Sequence, residues 1–280
     1  MFDPAYIDSI KPTLGGRLFY YLLPFRRRTV NENIHRVFSK LLSPEQQHKL
    51  ALCFYSHIAR SLKENLMMRF QSEESIKQRA EVIGHEKVIA AASLGKGVLI
   101  LSGHFGNWEF APIAGIMNFK EFQGRFYFIR KMIKAKWLER LLFRRYYQAG
   151  LNVIPKKNSL NQVCDALEQQ NAVVFVMDQH ASLDAKDGIV VDFFGSPAGT
   201  YRSLATIAQY MKTPVLPASS YRRADGTHVL EFHDPLEWES HTDRAEELYA
   251  NTLAYNRALE KIVLAHPDQW LWMHKRWKVS

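Results

Sequence analysis

Two short apolar runs, VLIL at Val98–Leu101 and AVVFVM at Ala172–Met177, limit what this chain can fold into. Neither alternates with polar residues. Each therefore reads as a strand covered on both faces, the kind found in the parallel sheet of an α/β protein. Both runs stop abruptly, the first at Ser102, Gly103 and His104, the second at Asp178 and Gln179. In such sheets the carboxyl ends of the strands line the ligand crevice. The stretch Gly97–Phe110, GVLILSGHFGNWEF, continues through two glycines and a capping-type Asn107 into a helix start.

His104 and Glu109 are the candidate pair in that stretch. Five residues along one continuous helix is roughly 140° of rotation, so two helical side chains so spaced would not meet. They meet if His104 lies on the loop and Glu109 in the first helical turns, with Gly103 and Gly106 letting the chain bend back. A carboxylate bonded to one imidazole nitrogen fixes the tautomer and leaves the other nitrogen free as a base. An unperturbed histidine titrates near pH ~6.5, suited to taking a proton from a hydroxyl. The G-x-S-x-G nucleophile template is absent, so the expected chemistry is direct attack by an activated acceptor hydroxyl. Asp178, at the end of the second run, is expected beside His104.

The chain has 280 residues, 47% hydrophobic and 23% charged, which describes a globular fold and excludes a disordered or collagenous one. The organisation expected is a helical, membrane-facing segment over residues 1–70 and an α/β domain over 71–280, as one continuous unit. Cys53 and Cys164 have no CxxC spacing and read as reduced core residues, with no metal site. A net charge of +9 favours anionic partners: nucleic acid, anionic headgroups or an acidic carrier protein. No stretch approaches the ~18 to 20 apolar residues of a membrane span, and no signal-peptide pattern opens the chain. Action on a lipid would then require lying on the bilayer. Leu14–Arg28, LGGRLFYYLLPFRRR, fits an interfacial anchor with Arg26, Arg27 and Arg28 on lipid phosphates, or equally a helix docked on the protein's own core.

Further along, Ser43-Pro44-Glu45-Gln46 is a helix start, followed by a core stripe of Leu50, Phe54, Ile58, Leu62 and Leu66. Strands are expected at Arg125–Lys131, Gly150–Pro155 and Thr213–Ser219. A basic helix is expected over Trp137–Gln148, others over Leu160–Gln170, Ser203–Met211 and Asp243–Ala265, and a hairpin turn at Ala224–Gly226. DGIVVDFFGSPAGT, Asp187–Thr200, reads as an apolar loop.

HFGNWE, His104–Glu109, resembles the H-x4-D/E motif of the lysophospholipid acyltransferase superfamily, and more narrowly the bacterial lipid A biosynthesis (lauroyl/myristoyl) acyltransferases. The arginine turn at Arg26–Arg28, Asp178-Gln179, FFGSPA at Phe193–Ala198 and PDQWLWMHKRW at Pro267–Trp277 resemble further stretches of the same family, and the resemblance spans roughly Leu14 to Lys278. The resemblance implies a glycerol-phosphate-acyltransferase-like α/β fold: a mainly parallel central sheet flanked by helices, with a helical N-terminal segment. It implies transfer of an acyl group from an acyl carrier protein or CoA thioester to a hydroxyl of a lipid or glycolipid, favouring a lipid A-type precursor. His104 would be the base and Glu109 its support, with backbone amides near Gly106 and Asn107 facing the oxyanion. Arg130 would bind the substrate's anionic group, although Ile129-Arg130-Lys131 stands where the family often has Tyr-Arg-Pro. Phe193, Phe194 and Gly195 would line the acyl channel, and the Trp270–Lys278 tail would form a lid with some headgroup contact. No cofactor, metal or nucleic acid is implied; the place of action would be the cytoplasmic face of the bacterial inner membrane. Two other readings stand beside this one: a nucleic-acid binder using the Trp/Arg tail, and a catalytically silent scaffold of the same fold.

Overall fold

The computed structural model describes residues 2–23, 25–130, 143–157, 159–184 and 187–278. Nine strands are present among them: β1 (Ala80–Ile83), β2 (Val98–Ser102), β3 (Phe126–Arg130), β4 (Leu151–Pro155), β5 (Ala172–Val176), β6 (Gly188–Phe193), β7 (Ser196–Tyr201), β8 (Val215–Arg222) and β9 (His228–Phe232). Seven form one sheet in the order β1-β9-β8-β2-β5-β3-β4, parallel throughout except for the β8–β9 hairpin. The two apolar runs are its centre. β2 pairs with β5 on one side (Leu99 opposite Val173) and with β8 on the other (Leu99 opposite Val215).

Alternation along these strands divides the core in two. Val98, Ile100 and Val174 face a layer made by α6 (His85–Ala92) and α7 (Phe110–Asn118). Leu99, Leu101, Val173 and Phe175 face the opposite layer. That layer holds α8 (Ser159–Glu168), α9 (Ser203–Met211), α10 (Arg244–Ala265) and the N-terminal helices. The last group comprises α1 (Ala5–Ser9), α2 (Leu14–Leu22), α3 (Arg27–Phe38) and α4 (Pro44–Met67), with α5 (Glu73–Lys77) leading into β1.

The start of α4 is the capping box expected from Ser43 and Gln46, with Pro44 at the first turn. Its apolar stripe is shorter than its spacing suggests. Leu50, Phe54 and Ile58 are buried, but Leu62 and Leu66 face solvent. From His57 onward the inward face turns polar, with His57, Ser61 and Glu64 all buried. Of the basic helix expected at Trp137–Gln148, residues 137–142 lie outside the described part, as does Lys131; residues 143–148 are helical.

Asp187–Thr200 is not a loop. β6 and β7 form an antiparallel hairpin with Phe193 opposite Ser196, so Phe194 and Gly195 are its two turn residues. Both have positive φ, +55° and +70°, the geometry that matches the twist of tight hairpins. The tail also differs from expectation. Trp270, Trp272, Trp277 and Arg276 are buried, so those rings are neither a stacking platform for bases nor a headgroup contact. The tail instead straps the loop after the central strand β2, through a bridge between Phe105 and Trp270 and a bond from Leu271 N–H to the His104 carbonyl (3.1 Å).

Candidate active site

The loop joining β2 to α7 turns tightly because its glycines permit it. Gly106 has φ +54°, and a Cβ there would lie 2.5 Å from the Ser220 carbonyl oxygen. A Cβ on Gly103 would crowd the Phe105 ring at 2.8 Å and the Asp178 carboxyl carbon at 3.0 Å. Only glycine lets His104 sit this close to the end of β5.

There the imidazole meets a carboxylate. The His104 backbone N–H donates to Oδ2 of Asp178 (2.8 Å), and its Nδ1 lies 2.9 Å from Oδ1. Trp270 Nε1–H donates to the same carboxylate (2.9 Å). Asp178 is 2% exposed; burial alone would raise its pKa, yet His104 and Trp270 hold it below the usual aspartate range. An ionised Asp178 requires the proton on Nδ1 of His104, which leaves the Nε2 lone pair free. On His104, burial lowers the pKa, but Asp178 and, after it, Glu109 outweigh that effect and hold it above the ordinary histidine range. The His104 side chain is 22% exposed, with the Gln179 amide 3.4 Å from Nε2 and the Trp108 ring edge-on at 5.4 Å between centroids.

His104 opens onto a cavity of about 530 Å³ above the carboxyl ends of β2, β3 and β5. Glu109, Arg130, Tyr146, Trp108 and Gln179 share its wall. Glu109 is not the acid bonded to His104. It receives a hydrogen bond from Tyr146, and burial raises its pKa despite Tyr146, His104 and Arg130. Its influence on His104 is electrostatic. Arg130 packs its guanidinium over the Phe143 ring, 3.3 Å from the centroid.

Two expectations are relocated. Asn107 is buried with its side chain turned inward: Nδ2 donates to Glu64 (3.0 Å) and Oδ1 accepts from Phe110 N–H (3.2 Å), capping α7. Its backbone N–H has no acceptor among the described residues, whereas the Gly106 N–H is bonded to the Gln269 carbonyl (2.8 Å) and is not open to an oxyanion. The Phe193–Gly195 stretch does not line the His104 cavity. Phe193 is core, in ring contact with Trp270 and Trp277, and Phe194 and Gly195 form the hairpin turn.

Spacing arguments missed a second group of residues, the buried polar set beneath the loop. Glu64 of α4, 7% exposed, is contacted by Arg222, Asn107 (3.0 Å), His228 (3.3 Å), Arg60 (3.3 Å) and Arg79 (3.4 Å). Arg222 also donates to Nδ1 of His57 (3.2 Å), so His57 carries its proton on Nε2 and donates to the Gly106 carbonyl (2.9 Å). Burial and the neighbouring Arg222 push the His57 pKa down to about 3, keeping it neutral. The only signal in the sequence was three polar residues spaced by four and three on the core side of α4. Among the described residues no group of three or more His, Cys, Asp or Glu is placed to hold a metal ion.

Comparison with known proteins places the sequence in a family. Residues 6–279 match the sequence profile of the bacterial lipid A biosynthesis acyltransferases. The chain is 23% identical over 265 residues to the lipid A biosynthesis lauroyltransferase of Escherichia coli K12, covering 94% of this chain and 82% of that one. It is 23% identical over 269 residues to the lipid A biosynthesis palmitoleoyltransferase of the same organism, covering 95% and 84%. A lipid A biosynthesis acyltransferase of Haemophilus influenzae is 20% identical over 205 residues, covering 72% and 60%. With a match spanning almost every residue and a buried acid–imidazole pair at its most distinctive motif, the chain belongs to the bacterial lipid A biosynthesis acyltransferase family and is an acyltransferase.

Proposed function

We propose that this protein moves a fatty acyl group from a thioester of an acyl carrier protein or CoA to a hydroxyl of a lipid A-type glycolipid, with His104 as general base. The observation that carries the reading is the His104–Asp178 pair: an acid holds Nδ1, and Nε2 faces a cavity. In the reaction, Nε2 takes the proton of the acceptor hydroxyl as its oxygen attacks the thioester carbonyl. The tetrahedral oxyanion collapses by breaking the C–S bond, and the imidazolium returns its proton to the leaving thiolate. Asp178 fixes the tautomer and stabilises the imidazolium. Glu109 adds a second negative field, and Arg130 is suited to a phosphate on the acceptor. No covalent enzyme intermediate and no cofactor beyond the thioester is needed.

The name of the E. coli lauroyltransferase supports the lipid A-type acceptor, and the positive surface supports an acidic carrier protein as donor. The place of action is the cytoplasmic face of the inner membrane, with the protein lying on the bilayer. No helix among the described residues is long and apolar enough to cross a membrane. Removing a general base typically costs about 10² to 10⁴ in rate. His104→Ala should therefore lose acyl transfer by about that factor while keeping the wild-type circular dichroism. A folded variant with near-normal turnover would refute the assignment.

A further inference from the structure

A cavity of about 520 Å³ lies between α1, α4, the end of β8 and the start of the tail. It shares no lining residue with the His104 cavity. Two of the residues that line it, His57 and Gln269, are bonded to the carbonyl and the N–H of Gly106, so it backs onto the His104 loop. The positive charge on its wall is in excess. Arg60 and Arg222 line it, and both contact Glu64, which Arg79 contacts as well: one carboxylate serves three guanidiniums. Burial lowers the Arg222 pKa, Glu64 raises it, and Arg60 and Arg79 lower it again, as like charges gathered at close range do. The Arg222 side chain is 5% exposed, and its Nε–H has no acceptor among the described residues. Lys11, exposed at the rim, adds a cation that forms no ion pair among the described residues.

One acid stands on the same wall. Asp268 accepts a hydrogen bond from the Tyr6 hydroxyl (2.6 Å), and burial raises its pKa despite that bond. It forms no ion pair among the described residues. The rings of Tyr6, Tyr221 and His266 share the wall with it, the last two stacked at 4.1 Å between centroids. Burial pushes the His266 pKa down to about 4, so that ring is neutral and adds no further charge.

We propose that this cavity binds the headgroup of a membrane phospholipid that carries both a phosphate and a primary amine, the phosphate on Arg60 and Lys11 and the ammonium on Asp268. A planar guanidinium suits a phosphate, and an ammonium donates to a carboxylate and is attracted to aromatic faces. A purely anionic ligand would leave Asp268 unmatched, and a purely cationic one would meet the arginines. The volume lies within the ~300–1,000 Å³ usual for small-ligand sites. The bilayer is the source, because Thr13 on the cavity wall is followed by Leu14, 74% exposed, and one turn later by Leu18, also exposed. A headgroup seated in the cavity leaves its alkyl chains against that apolar surface. This lipid is bound and not consumed, so the site goes beyond the acyl-transfer reading and does not depend on it.

The test is calorimetric titration of the full chain with dihexanoyl phospholipids kept below their micelle concentration. The phosphatidylethanolamine should bind once per chain. It should bind more tightly than the phosphatidylcholine, whose nitrogen has no N–H to donate, and than the phosphatidylglycerol, which has no amine. A charge-assisted contact is worth about tenfold or more in affinity, so Arg60→Gln and Lys11→Gln should each weaken the ethanolamine lipid by about that factor. Lys11 is exposed, which keeps one of these variants clear of any folding defect. Asp268→Asn retains an acceptor for the Tyr6 hydroxyl; it should weaken the ethanolamine lipid by a similar factor and leave the glycerol lipid as tight or tighter. Displacement of the lipid by inorganic phosphate at equal concentration would make this a free-anion site and overturn the proposal. Displacement by a phosphorylated glycolipid precursor would do the same by making it part of the acceptor site. Ethanolamine and choline lipids bound alike, or unchanged affinity in all three variants, would also overturn it. His104→Ala should bind the series as the wild type does, so loss of transfer in that variant leaves this site standing, and loss of lipid binding there would count against it.

Discussion

At the scale of single residues, burial and charge compete at His104. Desolvation disfavours an imidazolium, and the ionised Asp178 reverses the balance. The signs give a pH dependence. The folded pKa of His104 is raised, so its stabilising contribution is complete below the unfolded value of ~6.5 and is lost as pH climbs through the folded value. The folded pKa of Asp178 is depressed, so its contribution is complete above ~4 and is lost as pH falls through the folded value. The pair is at full strength between about pH 4 and 6.5. For Asp178→Asn, the loss in melting temperature should be largest in that window and shrink on either side. The base proposed at His104 would work only when neutral, so the acid limb of kcat/KM should lie above the ordinary histidine range and should move to lower pH in Asp178→Asn. The plateau should fall by on the order of 10² as the tautomer is no longer fixed. An unmoved acid limb would show that Asp178 does not tune the base. The motif pointed to Glu109 as the supporting acid, and the fold supplies Asp178, 74 residues away, for the hydrogen bond. Sequence spacing sees neighbours along the chain; which carboxylate reaches Nδ1 depends on β2 and β5 lying side by side.

At the scale of elements, the loop between β2 and α7 is held from three directions: α4 through His57 and Glu64, β8 through Ser220, and the tail through Gln269 and Leu271, with Arg222 behind it bonded to Glu64 and His57. Glu64 joins the loop, through Asn107, to β8 and β9, through Arg222 and His228. Removing one member of a buried ion pair leaves its partners uncompensated, at a typical cost of about 3–5 kcal/mol. Glu64→Ala should lose about that much in urea denaturation, since Arg222 and Asn107 would remain buried without it. A loss below ~1 kcal/mol would show that the set is not an integral part of the fold. These are also the elements that were hardest to read from the chain. The parallel strands were legible because an uninterrupted VLIL or AVVFVM has few other fates in a chain this long. The β6–β7 hairpin was not, because its turn is Phe194-Gly195 and lacks the Asn or Asp that usually marks two positive-φ residues. The end of α4 was misread for a related reason. Apolar period alone cannot show that the inward face changes from Phe54 and Ile58 to Ser61 and Glu64, leaving Leu62 and Leu66 outside.

At the scale of the whole molecule, the apolar side chains left in water are concentrated towards the N-terminal helices. Leu14, Leu18 and Leu22 form one stripe of α2, at spacings of four, and Leu23 and Phe25 extend it; all are exposed. The other side of α2 is fixed to α4: Gly16 packs on Ser56, and the Phe19 and Tyr20 rings pack on Tyr55. The docked-helix alternative for this segment is thus met by one face, and the other face is left over. The arginines divide in the same way. Arg27 donates to the Tyr20 carbonyl (3.2 Å), while Arg26 and Arg28 are exposed beside the stripe. A leucine stripe beside exposed arginines, on a chain of net charge +9, suits the surface of an anionic bilayer. Two contributions should then be separable in vesicle sedimentation. Each arginine at such a surface is worth about 1 kcal/mol, so Arg26→Gln with Arg28→Gln should weaken binding to phosphatidylglycerol vesicles by roughly 30-fold at low salt and by much less at high salt. Leu18→Asp with Leu22→Asp should weaken it at every salt concentration, because apolar insertion is not screened. Wild-type protein left in the supernatant with anionic and neutral vesicles alike would remove the interfacial placement, and with it the simplest route to a lipid acceptor for a chain with no spanning helix among its described residues.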